Sequence, residues 1–118
     1  MNRQELEAYL TDNYNAKGEY LFARYPNFQV FRHGERKWFA VLMDIPGEKL
    51  GLSGGDITVV NLKCDTRMIE QFRREPGIYP GYHMNKSHWL TVALDGSAKK
   101  EHLLFLLDMS YGLTKGDR

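Results

Sequence analysis

The sequence predicts an α+β fold: a two-layer α/β sandwich with a mostly antiparallel sheet and its helices on one face. Three observations predict it. Helical periodicity marks both ends of the chain, aromatic and β-branched runs fill the middle, and the links between those runs are short. Short links join antiparallel neighbours, and helices outside such a sheet gather on one side of it. With 118 residues, 42% hydrophobic and 13% aromatic, the chain suits one domain over residues 1–118 with a single core.

Each element has its own signal. Asn2, with Glu5 three residues on, resembles a capping pair, and Leu6, Leu10 and Tyr14 then recur at helical spacing, so a first helix is expected over about 3–14. Phe28 to Arg32 and Lys37 to Met43 are aromatic, β-branched runs around a short Gly34-containing link, which is a hairpin pattern. Residues 46–55 read as a glycine-rich loop, and 57–63 as a third strand. Asp65 or Thr66 is placed to cap a short helix carrying Met68, Ile69 and Phe72, which Pro76-Gly77 stops. Residues 78–84 are expected to be extended, and His88 to Leu94 alternates cleanly as a strand. Ser97 is then the expected cap of a last helix with Leu103, Leu104, Leu107 and Tyr111 inward, ended by Gly112.

Composition narrows the function classes. No apolar run approaches the ~20 residues of a membrane span, and the first residues lack the plan of a signal peptide. One cysteine, Cys64, excludes an internal disulfide and suits a reducing cytoplasm. A net charge of +1 gives no global basic signature. Locally, residues 24–37 carry Arg24, Arg32, Arg36 and Lys37 against Glu35, a surplus of three, which is either a contact patch or ordinary surface charge.

The patterns that resemble catalytic motifs lack their context. Gly51-Leu52-Ser53-Gly54-Gly55 matches G-x-S-x-G, but a nucleophile elbow needs a strand before and a helix after, whereas a proline-containing loop precedes it and a strand follows. The same stretch lacks the Gly-Lys-[Ser/Thr] ending of a phosphate loop. His83 and His88 are five apart, a spacing that fits neither a helical nor a strand metal pair, and a third ligand would have to come from Cys64, Asp65 or His102. Cys64 at a strand end reads as a small buried hydrophobe. No enzyme activity, cofactor or metal is therefore expected.

The densest polar stretch is Tyr82 to Gly96. Alternation puts His88, Leu90, Val92 and Leu94 on the helix-facing side and Trp89, Thr91 and Ala93 on the other, with Asn85-Lys86-Ser87 at a turn. A sheet with helices on one side leaves its other side bare, so Trp89 is expected to be partly exposed. Such an indole beside Lys86 suits stacking on bases; equally, it suits a cross-strand pair with Trp38 or Phe39, with Asn85 satisfying the turn.

"GYHMNKSHWLTVALDG", with "LLDMSYG" downstream and "EKLGLSGGDITVVNLKCD" and "REPGIYPGYHMNK" upstream, resembles the signature of the MmcQ/YjbR family of small bacterial proteins, over about residues 1–112. The resemblance implies a CyaY-like fold, a role in binding DNA through wing-like hairpins, and no known enzymatic activity. Its signature falls here on His83, Asn85, Lys86, His88 and Trp89. The expectation is thus a non-enzymatic, monomeric, cytoplasmic DNA-binding protein, with Arg32, Arg36, Lys37 and Lys86 on phosphates and Trp89 stacking. The alternative is a module binding an unknown protein partner or a small ligand on the same open sheet face.

Overall fold

The chain begins with a helix because Asn2 and Glu5 close its first turn reciprocally. The Asn2 side chain accepts the Glu5 N–H and the Glu5 carboxylate accepts the Asn2 N–H, both at 2.8 Å. In the computed structural model, which describes residues 1–115, this helix α1 (Arg3–Tyr14) ends at Asn15, whose φ of 52° is left-handed. The strands are β1 (Gln29–Arg32), β2 (Trp38–Pro46), β3 (Asp56–Lys63), β4 (Ile78–Pro80) and β5 (Trp89–Ala93). They form one sheet in the order β1-β2-β3-β5-β4, with every neighbour antiparallel. A 3-10 turn (Gly47–Leu50) follows β2, the short helix α2 (Ile69–Arg73) precedes β4, and α3 (Lys100–Thr114) follows β5.

All three helices lie on one face. Leu6 and Leu10 of α1, Ile69 and Phe72 of α2, and Leu103, Leu106 and Leu107 of α3 pack on Phe31, Leu42, Val60, Leu62, Leu90 and Val92. The β1–β2 register jumps between Phe31, opposite Ala40, and Arg32, opposite Trp38. Phe39 is the extra residue of this bulge, so both Phe39 and Ala40 can turn to the helix side, while Trp38 keeps to the other.

The other face is not bare, which corrects the expectation from alternation. Val30, Val41, Met43, Ile45 and Val59 are buried there under Phe22, Phe28, Leu50, Tyr82 and Met84, supplied by connecting segments. Thr91 and Asn61 are fully buried on this side. Segment 17–19 also covers the β1 edge: Glu19 and Val30 exchange two backbone hydrogen bonds of 2.9 and 2.8 Å.

Element ends differ from expectation for local reasons. Residues 78–84 are extended only to Pro80, because Gly81 starts a turn that holds Met84. Ser97 caps nothing; its N–H and hydroxyl both donate to the Asp95 carboxylate, and α3 starts at Lys100. Gly112 does not stop α3, which continues to a buried Thr114 whose hydroxyl donates to Ser110 O at 2.8 Å. Neither Asp65 nor Thr66 caps α2. Asp65 instead accepts from Arg67, whose guanidinium holds that carboxyl down at about 2. His88 lies outside β5 and is exposed; its carbonyl accepts the Cys64 N–H.

No described helix is long and apolar enough to cross a membrane.

Candidate functional site

Two concavities share the second sheet face, and both begin from strand register. Lys63 and Trp89 are directly opposite on β3 and β5, so their side chains leave the sheet on the same side. Trp38 starts β2 at the same end. These three, with Arg36 and Lys37 from the β1–β2 turn and Thr114 from the end of α3, line a shallow groove of about 380 Å³. Trp38 and Trp89 are each half-buried, and Arg36 and Lys37 are exposed. No carboxylate lines the groove among the described residues. The turn is tight because Gly34 supplies a φ of 57° and Arg36 N–H reaches His33 O at 2.8 Å.

Ser110 fixes this end of the sheet to α3. Its hydroxyl donates to Phe39 O at 2.6 Å and accepts the Lys63 N–H at 2.8 Å, which bridges β2 and β3 just beyond the Ala40–Leu62 pair where their ladder ends. His33, under the same turn, shares a 2.9 Å hydrogen bond with Thr114 Oγ1. Burial pushes its imidazole below the ordinary value; a backbone hydrogen bond with Tyr111 opposes this, and Arg36 and Lys115 add to it.

The second concavity is a cleft of about 190 Å³ lined by Phe22, Tyr25, Phe28, Trp38, Val41, Met43, Asn61, Tyr82, His83 and Met84. Trp38 is a wall of both hollows. Phe22 meets Trp38 edge-on at 5.6 Å, and Tyr25 stacks on Phe28 at 4.9 Å. The opposite lip is the 81–84 turn, held to the sheet by a three-residue circuit. Tyr82 N–H donates to Thr91 Oγ1 at 2.8 Å, Thr91 donates to Asn61 Oδ1 at 2.5 Å, and Asn61 Nδ2 returns to Tyr82 O at 2.8 Å. His83 follows with a φ of 59°, a conformation that non-glycine residues rarely adopt, and its ring lies 4.1 Å from that of Tyr82.

The residues nominated from sequence therefore divide. Arg36, Lys37 and Trp89 meet in the groove. Arg32 instead forms a two-pronged pair with Glu19, both contacts 2.9 Å, and this guanidinium lowers the Glu19 carboxyl below its usual range. Lys86 points to a separate hollow beside α2, and its ammonium donates to Gly81 O at 3.0 Å. Asn85 builds the turn: its side chain accepts Ser87 N–H, and its carbonyl accepts the His88 and Trp89 N–H groups. His83 lines the cleft, and His88 lines neither hollow. Sequence reasoning named Trp38 only as a cross-strand partner for Trp89; it missed Lys63, which only register brings beside Trp89, and the aromatic run from Phe22 to Phe28, whose density within a loop was its one signal.

Cys64 is buried, and burial first and the neighbouring Asp65 second push its thiol up to about 11. Among the described residues no group of three His, Cys, Asp or Glu side chains could hold a metal ion. Ser53 sits in a loop between the 3-10 turn and β3, away from any strand-to-helix corner.

Known proteins are similar to this chain in sequence and in fold. The chain is 33% identical to the uncharacterized protein YyaQ of Bacillus subtilis, over 98% of this chain and 99% of that one. It is 40% identical over 53 residues to the uncharacterized protein YjbR of Escherichia coli, 44% of this chain and 45% of that one. A crystal structure of a Pseudomonas syringae protein superposes with a TM-score of 0.92 at 41% identity, covering 97% of this chain and 99% of that one. The crystal structure of Deinococcus radiodurans DR2400 superposes with a TM-score of 0.71 at 26% identity, over 97% and 78% of the two chains. The YjbR family model matches residues 11–113, and with that match, the near full-length likeness to YyaQ and the shared fold, the chain belongs to the YjbR family.

Proposed function

We propose that this protein binds nucleic acid, without chemistry of its own, through the groove between the β1–β2 turn and β5. The single observation that carries the reading is the juxtaposition of two half-buried tryptophans, Trp38 and Trp89, with Lys37, Lys63 and Arg36. Indoles offer stacking faces that tolerate any base, and flanking cations pair with phosphates. The contact set differs from the one nominated from sequence: Lys63 and Trp38 join Arg36, Lys37 and Trp89, while Arg32 and Lys86 hold the fold.

Lys37 and Lys63 neutralise about two phosphates, so log affinity should fall against log salt with a slope of about −1.5 to −2. Fluorescence anisotropy of a labelled oligonucleotide over a salt series measures that slope. Lys37→Glu with Lys63→Glu should weaken binding at low salt by at least about tenfold and flatten the slope by about 2. Binding that ignores salt, or none at low salt, overturns the proposal.

A further inference from the structure

We infer that the cleft receives one base of a single strand whose phosphates lie along the adjoining groove. This rests on the nucleic-acid reading and adds to it the strandedness of the ligand and a second place where it is held. Trp38 is the common wall, so a chain lying over Lys37 and Lys63 passes the cleft mouth without a gap.

The lining selects the occupant. No lysine, arginine or carboxylate lines the cleft among the described residues, so a charged head group finds no partner inside. At about 190 Å³ it is smaller than the roughly 300–1,000 Å³ of drug-sized pockets, a space for one ring system. Phe22, Phe28, Trp38 and Tyr82 wall it with aromatic faces, and Asn61 beneath them is fully buried with both amide atoms already bonded, to Tyr82 and Thr91. A planar, neutral ring fits such a slot, and a nucleobase is such a group. Charge complementarity at the mouth, from Lys37 and Lys63, selects a base attached to phosphates.

A base can enter only when unstacked and unpaired, which makes the ligand single-stranded. Tyr25, stacked on Phe28 and 50% exposed, stands at the rim where an entering ring would lie against it. His83, held at a φ of 59° at the other lip, is the residue whose backbone is unusual at this site.

The test compares a single-stranded pyrimidine oligonucleotide with an abasic strand of equal length and charge. Methyl spectra of Met43 and Met84 and the side-chain amide of Asn61 report on the cleft, and the Trp89 indole reports on the groove. Expected are shifts at all of these with the intact strand, none at Asn61 or the methionines with the abasic strand, and about tenfold weaker binding of the latter. Tyr25→Ala, a half-exposed position, should lose about tenfold in affinity with the Tm of the free protein kept within a few degrees. Shifts confined to Trp89 while Asn61 and the methionines stay still overturn the cleft assignment and leave the groove reading standing. Failure of both strands to bind at low salt overturns the two together.

Discussion

Replacing Thr91 by valine tests whether the Tyr82–Thr91–Asn61 circuit is what holds the cleft lip to the sheet. Valine keeps the shape and removes the hydroxyl, and Thr91 Oγ1 is the partner of two groups at once. Tyr82 N–H and Asn61 Oδ1 both lose their hydrogen bonds, and Asn61 is fully buried. An orphaned buried polar group costs about 1–3 kcal/mol, so two cost roughly 2–6 kcal/mol, which the added methyl offsets by about 0.8 kcal/mol. A net loss of about 1–5 kcal/mol follows, or roughly 4–20 °C in Tm for a chain of this size. Urea unfolding should show a lower midpoint with an unchanged m value, since the buried surface is the same. Adding Asn61→Leu should cost less than the sum of the two single changes, because it removes an acceptor already left empty. Amide exchange at Met84 should speed up in Thr91→Val, as the turn loses its tie to β5. A loss below about 0.5 kcal/mol, the range of an ordinary surface change, would refute the argument.

Other perturbations have equally definite outcomes. Ser110→Ala should destabilise by about 1–3 kcal/mol by denaturant unfolding, since Lys63 N–H and Phe39 O lose their shared partner. Cys64, with its thiol raised to about 11, is about one part in a thousand thiolate at pH 8, so a thiol reagent should modify it at least 100-fold more slowly than free cysteine until the protein is unfolded. His33 is lowered in the fold, so the unfolded chain takes up its proton first. Tm should fall as pH drops from the ordinary value of about 6.5 towards the folded one, and His33→Gln should flatten that segment of the profile.

The sheet and helices were legible because their signals are local. Leu6, Leu10 and Tyr14 repeat at helical spacing, and Leu90 and Val92 alternate as a half-buried strand must. The second layer of burial was not legible. Phe22, Phe28 and Tyr82 lie in connecting segments without periodicity, and whether a loop crosses a sheet face or hangs away from it is set by tertiary contacts. Helix ends followed the same division. Asn2 and Glu5 cap reciprocally as read, but Ser97 turns back to Asp95, because serine bonds as readily within a turn as to a helix. For the candidate site, charge density along the chain pointed to the β1–β2 turn. It could not tell that Arg32 faces Glu19 while Lys37 does not, nor that Lys63 stands opposite Trp89.

That division explains how a chain of net charge +1 presents a cationic groove. Two of the four cations nominated from sequence serve the backbone. Arg32 fastens segment 17–19 over the β1 edge through Glu19, and Lys86 closes the 81–88 turn on Gly81 O. Gly81 must be glycine for that turn to sit where it does, since a Cβ there would come within 2.8 Å of the Trp89 Cβ and 2.9 Å of its carbonyl oxygen. The turn that carries the signature residues is thus tied at both ends: to β5 by Gly81 and Asn85, and to the sheet face by the Asn61–Thr91 circuit. One strand end then sets Trp89 in the groove, and one turn sets His83 at the cleft. On this view Asn85 and Lys86 act on ligand binding through the position of Trp89 and His83. Lys86→Met should therefore alter the affinity without moving the salt slope, whereas Lys63→Met should move the slope by close to 1.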